Sequence, residues 1–316
     1  MTTSAMEPTR TLGLVAPSGY MPDPAVADRA ARFFSARGWQ VAAGDSMFAR
    51  EQRFAGPDEL RLADLMRFAT DPSIDVVLAG RGGYGLSRLL DRIDFAAIKA
   101  RAPIIAGYSD FTAFSLAYLA RAGGVSLSGP SAGDFGAASP DEFTTKHFFG
   151  LIESARYAID AELDGKAGEW SGRLWGGNLV MVAALLGTPY FPRVRGGILV
   201  VEDVNEPGYK LERLFNQLAH AGVLQRQAGI LLGDFEPVTP MPNDNGFGLE
   251  AVIARLREAA GVPVLAGLPY GHLPRKLTLP IGGRARLVVR RGGRATLELS
   301  GYPSLARPPA RQTRLR

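Results

Sequence analysis

The stretch APIIAGYSDFTAF, residues 102–114, decides how the chain is read. An apolar run over 103–106 leads into Gly107-Tyr108-Ser109-Asp110, after which Phe111, Phe114, Leu116 and Leu119 recur at roughly helical spacing. The stretch reads as a strand, a sharp turn and a helix. Serine and aspartate suit a helix start, because their side-chain oxygens accept hydrogen bonds from amides that the first turn leaves unpaired. The same geometry describes a nucleophile elbow, in which a serine on a tight strand-to-helix turn exposes its Oγ at the carboxyl edge of a sheet. The G-x-S-x-G pattern of that elbow is not matched, since no glycine stands at position 111. Taken alone, the segment favours the cap.

Outward from this stretch, strand and helix patterns alternate. Residues 12–16 read as a strand ending in Pro17-Ser18-Gly19, and the next helix carries Val26, Ala30, Phe33 and Phe34 before Gly38 stops it. A strand over 39–43, a helix over 57–69 and a buried-type strand over 74–79 follow. The last of these runs straight into the loop Arg81-Gly82-Gly83-Tyr84-Gly85, with a helical stretch over 86–93 behind it. Such alternation implies right-handed crossovers and a parallel sheet, with the binding crevice at the carboxyl ends of the strands. The RGGYG loop and Ser109 both follow strands, so both belong at that edge, which moves Ser109 away from a mere cap.

Residues 139–170 read as a helix and a polar connection, where the domain boundary is expected: an N-terminal α/β domain over 1–155 and a C-terminal domain over 170–305. In the second part Gly176-Gly177-Asn178 opens an apolar helix, and a strand over 198–201 ends in Glu202-Asp203. Leu211, Leu214, Phe215 and Leu218 mark a helix, a strand covers 228–232, and another helix covers 249–260. From 262 to 301 the pattern is glycine-punctuated β, with Gly271-His272 in its first loop.

Composition narrows the classes. At 316 residues, 46% apolar and 21% charged, the chain has ordinary globular values and length enough for two domains. No apolar run reaches the eighteen or so residues of a membrane helix, and the first residues lack a secretory pattern. Zero cysteines exclude disulfides and thiolate metal sites, in keeping with a reducing cytosol. The net charge of +5 is concentrated in the tail, 306–316, which holds four arginines and no acid. The rest is nearly neutral, so the tail reads as a solvated, mobile end, and neither nucleic acid nor membrane is an expected partner.

A serine hydroxyl needs a base within hydrogen-bond reach and a carboxylate to orient that base. Only three histidines are present. His147, in FTTKHFFG, lies in a helix pattern, and His220, in QLAHAGVL, near a helix end where a protonated ring suits the dipole. His272, in LPYGHLPRK, lies on a glycine loop between apparent strands, where function concentrates. In GILVVEDVNEPGY the strand stops at Glu202, with Asp203 and Glu206 as rivals, and any one of them alone is as well read as a solvated loop acid. The RGGYG loop lacks the spacing of a nucleotide motif, but its glycines let a backbone N–H approach a tetrahedral oxyanion.

Taken together, RGGYG, AGYSDFTA, LWGGNL, ILVVEDVNE, LLGDF and GLPYGH resemble the LD-carboxypeptidases of serine peptidase family S66, the cytosolic muramoyltetrapeptide carboxypeptidases of bacteria. The likeness runs from about Leu12 to Pro303. It implies a flavodoxin- or Rossmann-like N-terminal domain, a C-terminal mixed α/β domain rich in strand, a site in the cleft between them, and a homodimer. It implies a triad of Ser109, Glu202 and His272, with no metal and no cofactor. The implied reaction removes the C-terminal D-Ala from the murein tetrapeptide L-Ala-γ-D-Glu-meso-diaminopimelate-D-Ala during peptidoglycan recycling. On that reading the amides of Asp110 and Gly83 form the oxyanion hole and Arg81 meets the terminal carboxylate. Tyr84, Trp175 and Asn178 are further expected substrate contacts, with packing the competing reading for the last two. Two alternatives stand beside this one: an immunity peptidase of the same family acting on a microcin C-type peptidyl-nucleotide, and a non-catalytic module holding a phosphorylated ligand on RGGYG. The short segment after Glu202, with Tyr209 its only ring before the helix, tilts the reading toward murein.

Overall fold

Strands buried at every position, such as VVLA and IIAG, need cover on both faces, and the architecture supplies it with helices. The computed structural model describes residues 10–235, 237, 238 and 240–306; beyond residue 306 the arginine tail lies outside them. The first part of the chain runs β1 (Thr11–Val15), α1 (Ala25–Ser35), β2 (Gln40–Ala43), α2 (Asp58–Thr70), β3 (Val76–Ala79), α3 (Phe95–Arg101), β4 (Ile104–Gly107), α4 (Thr112–Ala122), β5 (Ser126–Ser128), α5 (Ala132–Phe135) and α6 (Glu142–Ile152). Its strands pair in the order β5-β4-β3-β1-β2, all parallel. Phe34 of α1 packs among Phe33, Phe135, Phe148 and Phe149, an aromatic cluster that seals one side of this layer.

The second part runs β6 (Arg156–Glu162), β7 (Gly168–Asn178), α7 (Leu179–Ala184), β8 (Ile198–Glu202), α8 (Gly208–His220), β9 (Gly229–Leu232), α9 (Leu249–Ala260), β10 (Val264–Ala266), β11 (Leu279–Ile281), β12 (Arg284–Val289) and β13 (Arg294–Ser300). Seven of these strands form a mixed sheet, β10-β9-β8-β7-β12-β13-β6, parallel from β10 to β7 and antiparallel beyond. The molecule is therefore mixed α/β with a strand-rich C-terminal part.

Three sequence expectations shift. The helix expected over 86–93 is only a 3-10 turn, Leu86–Arg88: the Leu86 amide is spent on the Asp110 carboxylate, and the next helix starts afresh where Asp94 caps it. The connection expected before residue 170 contains β6, which pairs in full with β13. Its hydrophilic look comes from solvent-facing positions, since of its seven residues only Ile159 is buried. Finally β11, from the far end of the sequence, adds antiparallel to β5 and so completes the first sheet. Leu279 and Ile281 are fully buried there, so the two sequence regions share one core. Among the described residues no helix is long and apolar enough to cross a membrane.

Candidate active site

At Ser109 the backbone turns into the left-handed region, φ 62°, between an extended Tyr108 and a 3-10 turn that leads into α4. A non-glycine residue held there costs about 1–3 kcal/mol and persists only where its surroundings dictate it. The serine hydroxyl caps neither the 3-10 turn nor α4. The geometry is that of an elbow, and the helix-cap reading falls.

The RGGYG loop lies against this elbow. A Cβ on Gly82 would stand 2.5 Å from Ser109 Cβ, 2.7 Å from its Oγ and 3.3 Å from the Asp110 amide. Gly83 has φ 106°, and the Gly82 carbonyl accepts from the Gly19 amide at 3.2 Å. Asp110 is 2% exposed and reaches back to the same loop, accepting from the Leu86 amide at 2.9 Å. Burial pushes its carboxyl upward, opposed by the Leu86 amide bond and by the charge of Arg61. Arg61, fully buried, pairs with Asp58 and donates to the Pro17 and Gly56 carbonyls. Arg81 donates from Nη1 to the Tyr20 carbonyl at 3.1 Å, and Tyr84, 43% exposed, stands at the loop's outer edge near Phe54 and Arg53.

Glu202 ends β8 and is 1% exposed; its Oε2 lies 2.6 Å from His272 Nδ1. Gly271 permits this approach. It has φ 131°, and a Cβ there would sit 3.0 Å from both Glu202 Cβ and Oε2. With Nδ1–H donating to a carboxylate, the neutral imidazole keeps Nε2 as its acceptor. The ring packs on Tyr108, centroids 5.1 Å apart, which is the residue before Ser109. The folding thus brings residues 202 and 272 into contact and sets the imidazole beside the elbow. Among the described residues, Ser109 and His272 share no hydrogen bond, and the His272 bond is the one to Glu202.

The rival acids and histidines have other occupations. Asp203 accepts from Asn178 Nδ2 and from the Val180 and Val204 amides, and burial, with the neighbouring Glu202 charge adding, raises its pKa to about 6. Glu206 pairs with Lys210 at 3.4 Å. His147 meets the Tyr157 hydroxyl at 3.0 Å and packs on Phe143, and burial lowers its pKa. His220 sits in the last turn of α8.

Trp175 is fully buried, with Nε1 donating to Gln227 Oε1 at 2.9 Å and its ring edge-on to Phe191. Asn178 is 7% exposed, caps α7 by accepting from the Met181 amide, and donates its own backbone N–H to the Thr112 hydroxyl. Packing, rather than substrate contact, describes both side chains. Asn178 still matters to the site, because its bond to Thr112 fastens β7 to the start of α4, three residues after Ser109.

Three site-forming groups were not foreseen: Lys276, Asp134 and Tyr270. Lys276 is 2% exposed, with Nζ 2.6 Å from Asp134 and 4.2 Å from the Tyr108 ring centroid. Tyr270 shares a 2.6 Å hydrogen bond with Ser128, and burial raises its pKa. In the sequence Lys276 is one of two basic residues before an apolar strand, with nothing to separate it from a solvated pair. Two larger cavities, about 670 and 710 Å³, lie on the second sheet and are lined by none of Ser109, Glu202 and His272.

The comparisons with known proteins identify the family and the fold. Residues 12–129 match the model of the LD-carboxypeptidase N-terminal domain, and residues 171–287 that of the LD-carboxypeptidase C-terminal domain. The chain is similar to a probable murein peptide carboxypeptidase of Bacillus subtilis, 34% identical over 88% of this chain and 88% of that protein. It is similar to the solved muramoyltetrapeptide carboxypeptidase of Oxalobacter formigenes, with a TM-score of 0.87 and 38% identity over 93% of this chain and 100% of that one. Its likeness to the microcin C7 self-immunity protein MccF of Escherichia coli is lower, 24% over 80% of this chain and 83% of that protein.

Proposed function

The chain belongs to the LD-carboxypeptidase family of serine peptidases, and from that premise we propose that it removes D-Ala from the murein tetrapeptide L-Ala-γ-D-Glu-meso-diaminopimelate-D-Ala with Ser109, His272 and Glu202. The observation that carries the proposal is the 2.6 Å contact between His272 Nδ1 and the buried Glu202, packed against the residue before Ser109. Ser109 Oγ attacks the diaminopimelate carbonyl while His272 Nε2 takes its proton and then passes it to the departing D-Ala amine. Water releases the acyl group by the same route. Glu202 keeps Nδ1 protonated and offsets the imidazolium charge. On this proposal, substrate seated against the elbow draws Ser109 Oγ and His272 Nε2 into hydrogen-bond distance, as catalytic hydrogen bonds often tighten only in the Michaelis complex.

The Asp110 amide, directly after the nucleophile, and the Gly83 amide are our oxyanion donors. Arg81, steadied on the Tyr20 carbonyl, is our candidate for the D-Ala carboxylate, and Tyr84 for the peptide. The higher identity to murein enzymes than to the immunity protein favours the murein peptide over a peptidyl-nucleotide. We place the enzyme in the cytoplasm, in peptidoglycan recycling, as a homodimer in which each chain carries a 1–155 unit and a 170–305 unit, the latter lending β11 to the first sheet. Incubating the purified protein with tetrapeptide should release D-Ala, and Ser109→Ala should abolish release while leaving the fold intact. Equal release by parent and variant rejects the proposal.

A further inference from the structure

A lysine with 2% exposure is costly to bury, and its ion pair with Asp134 does not by itself offset that cost better than apolar packing would. What the charge does here is visible in its contacts. Lys276 Nζ stands over the face of Tyr108, whose ring packs on His272, whose Nδ1 meets Glu202. Asp134 is in turn fixed by the Ser131 amide and hydroxyl in the first turn of α5. A line of contacts therefore runs Asp134, Lys276, Tyr108, His272, Glu202, from a helix beyond β5 to the end of β8.

The backbone supports the same line. The Lys276 amide donates to Thr144 Oγ1 at 2.8 Å, and that hydroxyl donates to the Pro274 carbonyl at 2.7 Å. On the other side of His272, Tyr270 is tied to Ser128. The segment bearing the imidazole is thus pinned before and after His272, and the ring itself meets Glu202 at Nδ1 and Tyr108 in a tilted contact. Tyr108 is also the residue from which the elbow springs, so a swing of its ring would disturb base and nucleophile together.

We propose that Lys276, held by Asp134, is a positioning residue that fixes His272 through Tyr108. The inference rests on the reading of His272 as the proton carrier. The cation attracts the ring's negative face and so holds Tyr108 at one tilt against the imidazole. Small displacements suffice for an effect, because a misplacement of about 1 Å can cost about a hundredfold in rate.

The test uses Lys276→Met, the doubly neutral Lys276→Met/Asp134→Asn, Lys276→Arg and Tyr108→Leu in the full-length protein. The double variant removes both charges, so a folding failure of Lys276→Met from an orphaned carboxylate leaves the question answerable. Two rates are measured with the melting temperature: D-Ala release from tetrapeptide, and phosphonylation of Ser109 by a fluorophosphonate, which needs no murein. The expected result is a loss of about 10- to 100-fold in kcat and in phosphonylation for the double variant, with KM changed less than about threefold. Lys276→Arg should recover much of the rate, and adding Tyr108→Leu should cost nothing further. A folded double variant that is phosphonylated as fast as the parent overturns the proposal. A parent that releases no D-Ala yet loses phosphonylation in these variants retires the murein substrate and upholds the positioning role. Phosphonylation unaffected by Ser109→Ala sinks both.

Discussion

Gly82 and Ser109 are in such close contact that a single added methyl on the glycine would stand 2.5 Å from the serine Cβ. The glycine-rich loop is therefore part of the wall against which the nucleophile is set. Gly82→Ala should lower kcat/KM for D-Ala release by about a hundredfold, because the serine Cβ is fixed to the backbone and can yield only by moving the elbow. Steady-state kinetics check this. A parent-like alanine variant would mean that the loop can withdraw without consequence.

The left-handed backbone at Ser109 predicts a stability difference between two inactive variants. Both Ser109→Ala and Ser109→Gly lack the hydroxyl, but only glycine occupies φ 62° without steric cost. Urea denaturation should find the glycine variant more stable than the alanine variant by about 1 kcal/mol. The reverse order would show that the strain is absent in solution.

Glu202→Gln keeps the shape of the carboxyl but replaces its charge with an amide that can bond Nδ1 in the wrong tautomer. We expect kcat to fall by about 10³- to 10⁴-fold, with the melting temperature nearly unchanged. A loss of less than tenfold in D-Ala release would assign the orienting role elsewhere.

Asp203 carries a pH dependence. Its folded pKa, about 6, lies above the ordinary 3.8 because burial penalises the charged form. Its contribution to stability is therefore fully present below pH 3.8 and is lost as pH rises through about 6. The parent should gain up to about 3 kcal/mol relative to Asp203→Asn between pH 8 and pH 4, measured by denaturant unfolding. A gap that is flat with pH, or that widens the other way, would contradict this.

The α/β alternation was legible because strand periods, glycine stops and apolar runs are local signals, and 249–260 was read to the residue. Strand β6 was not, because its solvent face makes it look like a linker until β13 supplies its partner 138 residues later, Arg294 against Glu162 at one end and Ser300 against Arg156 at the other. Nor was β11, whose three residues gain their role only by adding to a sheet built from the opposite end of the chain. For the site, residues at strand ends stood out. Lys276, Asp134 and Arg61 did not, since their charges look solvated in sequence and are buried only by tertiary packing. Trp175 and Asn178 lie at the end of β7, where the LWGGNL motif drew attention to them as contacts, while their polar atoms face inward to Gln227 and Asp203.

The central claim is that Ser109 and His272 act as one unit. Measuring kcat/KM for D-Ala release in Ser109→Ala, His272→Ala and the double variant tests it most directly. If they form one proton-passing pair, each single change should cost nearly as much as both, about 10⁴-fold or more. Losses that multiply in the double variant, or a His272→Ala enzyme as active as the parent, would contradict it.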